Sequence, residues 1–146
     1  MTLQNLLPAN WQFDTTQLNP IDSDGKWLLP PLVDLCARLR EPGHQSHGTL
    51  KSEGAAARKN GFLHVVIPPD TNPVLENGSL LAGLRERAYQ DGGIYLHVLG
   101  AMTAGLEGEK PANMLGLKQG GIIGVSNARR KFANDDVLLQ ALDYAA

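Results

Sequence analysis

Short apolar runs rich in β-branched residues recur along the chain, and each is followed by a segment with helical spacing. The runs cover residues 33–39, 62–67, 94–99 and 122–125. Their starts lie about 30 residues apart, which is the length of one strand-plus-helix unit in a parallel α/β fold. The pattern therefore predicts four consecutive βα units.

The first two helical segments carry start and stop signals. Thr49 is a typical N-cap, and the Asn-Gly pair at 60–61 is a typical stop for the first helix. Asn77 or Ser79 can cap the second helix, which ends at the glycines of segment 91–93. At a spacing of four residues, the predicted buried face of that helix carries Leu80, Leu84 and Ala88.

The last two helices are predicted by the same rules. The third covers residues 111–119, with Pro111 in its first turn and two glycines behind it. The fourth starts after Asn134, carries two aspartates where the helix dipole favours negative charge, and runs to Ala146. Its predicted buried face consists of Val137, Leu138, Ala141 and Leu142.

Residues 1–30 differ from the rest of the chain because they are polar and rich in turn-forming residues. We interpret them as an N-terminal arm, part of a small β domain, with short strands around 11–13 and 27–29. The prolines at 30–31 end the second strand, because proline cannot donate to a strand ladder. Residues 31–146 then form the βα domain.

Two folds use a string of right-handed βα units, the open doubly wound sheet and the closed barrel of eight units. The loop after the first strand, residues 40–43, reads Arg-Glu-Pro-Gly and lacks the glycine fingerprint of a dinucleotide cleft. A barrel of eight units at this period needs about 240 residues. The chain therefore predicts a parallel α/β repeat amounting to about half of a TIM-like barrel.

Composition excludes several classes of protein without changing this prediction. The 146 residues are 42% hydrophobic and 19% charged, with a formal net charge of -2, as in ordered globular proteins. There is no basic stripe for nucleic acid and no apolar run near the roughly 20 residues that span a bilayer. Cys36 is the only cysteine, so no internal disulfide forms. Without a basic and apolar leader, we expect a cytoplasmic protein.

The first strand has two chemically different faces. Because residues two apart in a strand share a face, the apolar face is predicted to pack under the helices. That face consists of Val33, Leu35, Ala37 and Leu39. The other face consists of Asp34, Cys36 and Arg38. In a barrel this second face points to the interior, and its carboxyl end reaches the region where active sites are built.

Four segments of the chain resemble dihydroorotases, which are barrels of the amidohydrolase superfamily. Residues 32–43, Leu-Val-Asp-Leu-Cys-Ala-Arg-Leu-Arg-Glu-Pro-Gly, resemble the family's first strand, D-x-H-x-H-L-R-E-P-G. Residues 68–73 resemble its P-N-T-N-P segment after strand two, and residues 99–109 resemble the stretch after strand three. Residues 124–129 stand where the family has F-S-D-D-G after strand four. The resemblance implies a partial amidohydrolase barrel.

The resemblance also locates a degenerate metal site. In the family, two histidine ligands of zinc occupy the positions of Cys36 and Arg38, and a carboxylate after strand four, where this chain has Asn127 and Ala128, also binds metal. Arginine is permanently cationic and has no lone pair for a metal. Without the metal, no bound water has its pKa lowered toward ~7 for attack on an amide. We therefore expect no cofactor, although active relatives use zinc.

Three further positions match the family's substrate-binding residues, and we interpret them as vestigial. Arg40 corresponds to the arginine that holds the substrate carboxylate, while Asp70 replaces a substrate-binding asparagine and Asn72 is kept. The negative charge of Asp70 would repel an anionic substrate. We predict that Arg38 or Arg40 pairs with Asp70 or Asp34 across the strand ends.

These features together resemble non-catalytic dihydroorotase-like proteins, which the resemblance implies are assembly partners of aspartate carbamoyltransferase in pyrimidine synthesis. The first alternative is an active cyclic-amide hydrolase with a rearranged metal site of Cys36, His64 and His97, since thiolate and imidazole suit zinc. A second alternative is a binding module in which Arg40 and Asn72 hold a carboxylated pyrimidine. Half a barrel has two open sheet edges, so we also expect an oligomer or a subunit of a complex.

Overall fold

The structure is a computed structural model that describes Gly25 and residues 29–146. Contacts gather Pro31–Ala146 into one compact unit, and the fold below is that of this unit. The predicted N-terminal arm lies outside the described residues apart from Gly25, Leu29 and Pro30, so its two strands stay a prediction.

Four parallel strands form one sheet in the order β1-β2-β3-β4. Their bounds are β1 Leu32–Asp34, β2 Phe62–Ile67, β3 Tyr95–Ala101 and β4 Gly124–Ser126. Helices connect consecutive strands, which confirms the predicted repeat of four βα units and the partial TIM-like fold. The first strand, Leu32–Asp34, is much shorter than the predicted 33–39.

Four α-helices follow the strands, α1 Leu50–Lys59, α2 Ser79–Arg87, α3 Met114–Gln119 and α4 Asp135–Ala145. The predicted caps of α1 are present, since Thr49 and Ser52 form a reciprocal capping box and Asn60 ends the helix. Asn134 caps α4 by accepting from the Val137 N–H, again as predicted. Local sequence therefore decides where these two helices begin.

Two helix predictions were wrong in detail. The third helix begins at Met114, capped by Asn113, so Pro111 precedes it and forms an isolated antiparallel bridge with Thr103. In α2 the buried residue of the first turn is Leu81, whereas Leu80 is exposed. The other two predicted positions, Leu84 and Ala88, are buried as expected, so the error concerns the first turn alone.

The second helix ends in a π-helical turn, Ala88–Gly92. Gly93 then takes a left-handed backbone, which is the predicted glycine stop. At the start of α2, the Asn77 carboxamide oxygen accepts from the Ser79 N–H. In α4 only Ala141 is fully buried, while the side chain of Leu142 is exposed, contrary to prediction.

The main hydrophobic core lies on one face of the sheet, between the strands and helices α1 to α3. Its buried members are Leu39, Leu50, Val65, Ile67, Leu75, Leu81, Leu84, Ala88, Ile94, Leu96, Val98 and Leu117. A smaller cluster under α4 contains Met102, Met114 and Ala141. The opposite face of the sheet carries the alternate strand residues, including His64 and His97.

Both edges of the sheet expose large apolar side chains. Near β1 these are Leu32, Val33 and Leu35. Near β4 and α4 they are Leu115, Ile123, Leu139, Leu142 and Tyr144. The predicted self-association through open edges stays a prediction. Within the part of the chain that the structure describes, no helix has the length and apolar character needed to cross a bilayer.

Candidate functional site

The first strand ends early because of Asp34. The Asp34 carboxylate accepts a hydrogen bond from the backbone N–H of Cys36 at 2.9 Å, an Asx-turn that competes with strand geometry. The chain bends at Leu35 and Cys36 and then rejoins β2 through the Ala37 N–H, which donates to the Val66 carbonyl. A predicted strand of seven residues is thereby reduced to Leu32–Asp34.

The bend also overturns the predicted faces of β1. Val33 lies beside His64 and Asp34 beside Val65, and Val65 belongs to the helix-facing core. Asp34 therefore faces the helices, while Val33 and Leu35 are 51% and 74% exposed instead of packing under them. Beyond the bend, Ala37 and Leu39 do pack into the helix-facing core as predicted.

Arg38 and Asp70 form the ion pair that was predicted across the strand ends. Arg38 Nε and Nη2 both donate to Asp70 Oδ2, at 3.1 and 3.0 Å. The two side chains are half-buried at the carboxyl ends of β1 and β2. The sequence resemblance assigns the position of Arg38 to an imidazole ligand of zinc, and in the structure this position carries a cation that is bonded to a carboxylate.

The loop that follows Arg38 is anchored to helices α1 and α2 by the buried carboxylate of Glu41, a contact that the sequence analysis did not predict. Glu41 is 4% exposed, and its Oε2 accepts from the Leu50 N–H at the start of α1. Its other oxygen pairs with Arg87 at the end of α2. The carboxylate satisfies an N–H in the first turn of α1 that would otherwise lack a partner, but Glu41 lies nine residues before Leu50, so no local sequence pattern indicated this contact.

The vestigial substrate positions lie on this same loop and the next. Arg40 is exposed with φ of 65°, and it lines a small cleft together with Arg38, His44 and Asp70. Asn72 contributes its backbone to a close approach, because a Cβ on Gly43 would lie 2.4 Å from the Asn72 carbonyl oxygen. Arg40 and Asp70 therefore share one cleft, whereas Asn72 is exposed beside it.

At the ends of β3 and β4 a buried hydrogen-bond network occupies the position that the sequence resemblance assigns to a metal-binding carboxylate. Thr103 Oγ1 donates to Asn127 Oδ1 at 2.6 Å and accepts from the Gly108 N–H at 3.0 Å. Asn127 Nδ2 donates to the Arg130 carbonyl at 3.1 Å. Both polar atoms of the Asn127 side chain are therefore in use, and the sequence interpretation missed the part that Thr103 plays.

Ala128 completes the altered segment after β4. Its φ is 47° and that of Arg129 is 68°, a left-handed pair of residues held by the Ala128 N–H, which donates to Ser126 Oγ. The methyl group of Ala128 packs against the small apolar cluster of Ala101, Leu106 and Ala112. This position offers apolar contact and no donor atom for a metal.

The structure brings His64 and His97 together but leaves Cys36 apart. His64 Nδ1 and His97 Nε2 are 3.0 Å apart, on the face of the sheet opposite the helices. Cys36 is exposed at the bend after β1. Within the described residues no three His, Cys, Asp or Glu side chains are placed to hold a metal ion, so the alternative site of Cys36, His64 and His97 was wrong.

Taken together, the residues at the family's metal positions do not fit a divalent cation. Arg38 carries a fixed positive charge. The Asn127 side chain already donates to the Arg130 carbonyl and accepts from Thr103, and the Ala128 side chain has no ligand atom. Coulomb repulsion and the lack of lone pairs act in the same direction. The side chains at the strand ends instead bind one another, through the Arg38–Asp70 ion pair and the Thr103–Asn127 hydrogen bond.

Comparisons with known proteins agree with the resemblance in the sequence. The profile of the family described as dihydro-orotase-like matches residues 25–146. A dihydroorotase-like protein of Pseudomonas putida is 36% identical over 126 residues, which are 86% of this chain and 30% of that protein. A dihydroorotase-like protein of Pseudomonas aeruginosa is 35% identical over 126 residues, again 86% of this chain and 30% of that protein. A dihydroorotase of Desulforapulum autotrophicum is 35% identical over 128 residues, 88% of this chain and 30% of the enzyme.

Proposed function

This chain belongs to the dihydroorotase-like family, and on that premise we propose that it is the N-terminal part of a non-catalytic member that assembles with aspartate carbamoyltransferase in pyrimidine biosynthesis. The chain spans about 30% of the length of the relatives it matches. The activity and partners of the whole protein are therefore part of the proposal.

The observation that carries the proposal is the Arg38–Asp70 pair. Arg38 stands where the family places an imidazole ligand of zinc, and its guanidinium donates twice to one carboxylate oxygen. A divalent cation there would have to displace a bonded positive charge and would gain no ligand from it. This arrangement supports loss of the metal-dependent hydrolysis of cyclic amides.

A second observation at the opposite strand ends supports the same proposal. The buried Asn127 amide accepts from Thr103 and donates to the Arg130 carbonyl, where the family has a carboxylate. The barrel scaffold is stabilised at the same place where its metal-binding groups are replaced. A protein that keeps the scaffold without the chemistry is suited to a role through protein contacts.

Zinc binding gives the first test. Calorimetry with ZnCl2 compares the wild type with the double variant Cys36→His/Arg38→His, both in a His44→Gln/His47→Gln background that removes two exposed loop histidines. We expect at least a tenfold rise in zinc affinity in the double variant, since two imidazoles return and the positive charge leaves. One tightly held zinc per wild-type chain, lost on Cys36→Ala, would contradict the proposal and favour the hydrolase.

Partner binding gives the second test. Sedimentation velocity of the purified chain with aspartate carbamoyltransferase from the same organism is expected to show a co-sedimenting complex. The complex should persist in Arg38→Gln, because that substitution leaves the outer surface unchanged. Failure of the two proteins to co-sediment at micromolar concentration would remove this partner from the proposal.

One observation favours the binding module as a second candidate. Arg40 lies exposed in the cleft that also contains Arg38 and Asp70, and none of the described carboxylates pairs with it. Calorimetry with dihydroorotate, wild type against Arg40→Gln, tests this candidate. Heat of binding that disappears in the variant would support it, and equal traces would reject it.

A further inference from the structure

The face of the sheet opposite the helices carries two imidazoles. His64 on β2 alternates with Val65 and Ile67, and His97 on β3 alternates with Leu96 and Val98, which all pack toward the helices. In (β/α)8 barrels this face is normally filled with branched apolar side chains. Two polar rings there need hydrogen-bond partners, and they find them in each other.

The ring geometry shows what kind of contact this is. His64 Nδ1 and His97 Nε2 are 3.0 Å apart, and the ring centroids are 5.3 Å apart with an angle of 23° between the ring planes. The centroids are farther apart than the nitrogens by about the distance across one ring. Each nitrogen therefore lies close to the line that joins the two ring centres, and the two nitrogens point at each other head-on. One ring therefore donates an N–H to the lone pair of the other.

A head-on pair differs from a metal chelate in the direction of its lone pairs. Zinc bound by two imidazoles lies about 2.0–2.1 Å from each nitrogen, at a point toward which both lone pairs converge. At 3.0 Å, two nitrogens that face each other along one line leave no such point. The acceptor ring must be neutral, so this contact holds one shared proton and not two.

Several other groups surround the pair. Tyr95 stacks on His64 with centroids 5.1 Å apart, and Tyr89 lies 5.5 Å from Tyr95. Arg85 and Glu86 of α2 line a cleft that His97 also lines, and Glu86 accepts a hydrogen bond from Gln90. Burial lowers the pKa of His97, and His64 and then Arg85 lower it further.

We propose that His64 and His97 form an acid-labile latch between β2 and β3: they share one proton near neutral pH and separate when both rings are protonated. Double protonation removes the only acceptor lone pair of the contact and places two positive charges at hydrogen-bond distance. Arg85 of α2, which donates to the Gly120 and Gly121 carbonyls, lines a cleft with His97 and adds a third positive charge nearby. The latch is independent of the proposed function, because it uses neither the strand-end positions nor a partner.

The pH dependence follows from the direction of the His97 shift. Because the pKa of His97 is lowered in the fold, the unfolded chain binds more protons below its ordinary value of about 6.5. The contribution of the latch to stability is complete above that pH and is lost as the pH falls below it. The urea concentration at the midpoint of unfolding should therefore decrease as the pH is lowered from 7 to 5.

NMR of the wild-type chain, with histidine ring nitrogens labelled, tests the latch directly. We expect His97 to take up its proton at a lower pH than a solvated histidine does, because the contact with His64 needs an unprotonated acceptor nitrogen. In His64→Phe, which retains a ring beside Tyr95 but has no lone pair, His97 should titrate at higher pH than in the wild type. A titration of His97 that is the same in both proteins would overturn the proposal.

Urea unfolding followed by circular dichroism provides the second readout. The urea concentration at half-unfolding should decrease from pH 7 to pH 5 in the wild type and in the control His44→Gln. In His64→Phe this decrease should be smaller. An identical fall in all three proteins would overturn the proposal. A rise in the wild-type midpoint with ZnCl2, absent in His64→Phe, would show a metal site and would also overturn it.

Discussion

The carboxyl ends of β1 and β2 are held together by a different kind of interaction from the carboxyl ends of β3 and β4. At the β1–β2 end, Arg38 and Asp70 form an ion pair whose side chains are 28% and 27% exposed. At the β3–β4 end, Thr103 is 0% and Asn127 8% exposed, and neutral hydrogen bonds join them to the backbone. One pair of strand ends is therefore joined by partly hydrated charges, and the other by a buried network of neutral hydrogen bonds.

This difference decides how much each end contributes to stability. An ion pair that water still reaches gains little, because solvent screens it and ordering two long side chains costs entropy. A buried network is costly to interrupt, because each group left without a partner pays its full desolvation penalty. The β3–β4 end should therefore be much more sensitive to substitution than the β1–β2 end.

The largest effect is expected for Asn127→Asp, which introduces a carboxylate into the buried hydrogen-bond network. A buried carboxylate oxygen would face the Arg130 carbonyl in place of the Nδ2 donor, so we expect a loss of about 3 kcal/mol in unfolding free energy at pH 7. Urea denaturation measures it.

The same variant has a characteristic pH dependence. Burial should raise the pKa of the new carboxyl above its unfolded value, so the loss should shrink as the pH falls and the acid regains a proton to donate. Asn127→Ser, which introduces no charge, serves as the control. A deficit that stays constant from pH 7 to pH 4 would show that charge is not its cause.

Thr103→Val should have the next largest effect. The substitution preserves shape but leaves the Gly108 N–H and Asn127 Oδ1 without their partner, at a cost of about 2 kcal/mol. Thr103→Ser keeps the hydroxyl and should lose less than half as much. If the two variants were equally destabilised, packing of the methyl group and not the network would stabilise this end.

The smallest effect is expected for the ion pair. Arg38→Gln and Asp70→Asn should each cost about 0.5 kcal/mol, and the double variant should cost less than their sum because the two side chains interact. Raising NaCl to 1 M should reduce the difference from wild type. A cost above about 2 kcal/mol would erase the contrast between the two ends, since only a buried pair behaves that way.

Parts of the molecule with local causes were predictable. The bounds of β2, Phe62–Ile67, follow from a short run that is apolar except for His64, and the ends of α1 follow from Thr49 and Asn60. The Arg38–Asp70 pair was predictable because parallel strands bring their carboxyl ends to one edge. These features depend on short stretches of sequence or on topology alone.

Other features could not be predicted from the alternation of residues along one strand, because they depend on hydrogen bonds and ion pairs that this alternation does not indicate. The Asp34 side chain accepts a hydrogen bond from the Cys36 N–H and forms an Asx-turn, which competes with strand geometry. The faces of β1 are therefore the reverse of those predicted. Thr103 and Asn127 are 24 residues apart, and only the pairing of β3 with β4 makes them neighbours. The buried role of Glu41 likewise required the approach of α2.

The sequence by itself determined the βα repeat, the capped helices and the family, because periodicity, caps and motifs are written in neighbouring residues. Only the tertiary structure decided which polar groups satisfy one another at the rim. Burial and partner geometry set the energy of a hydrogen bond or a charge, and both arise when distant segments meet.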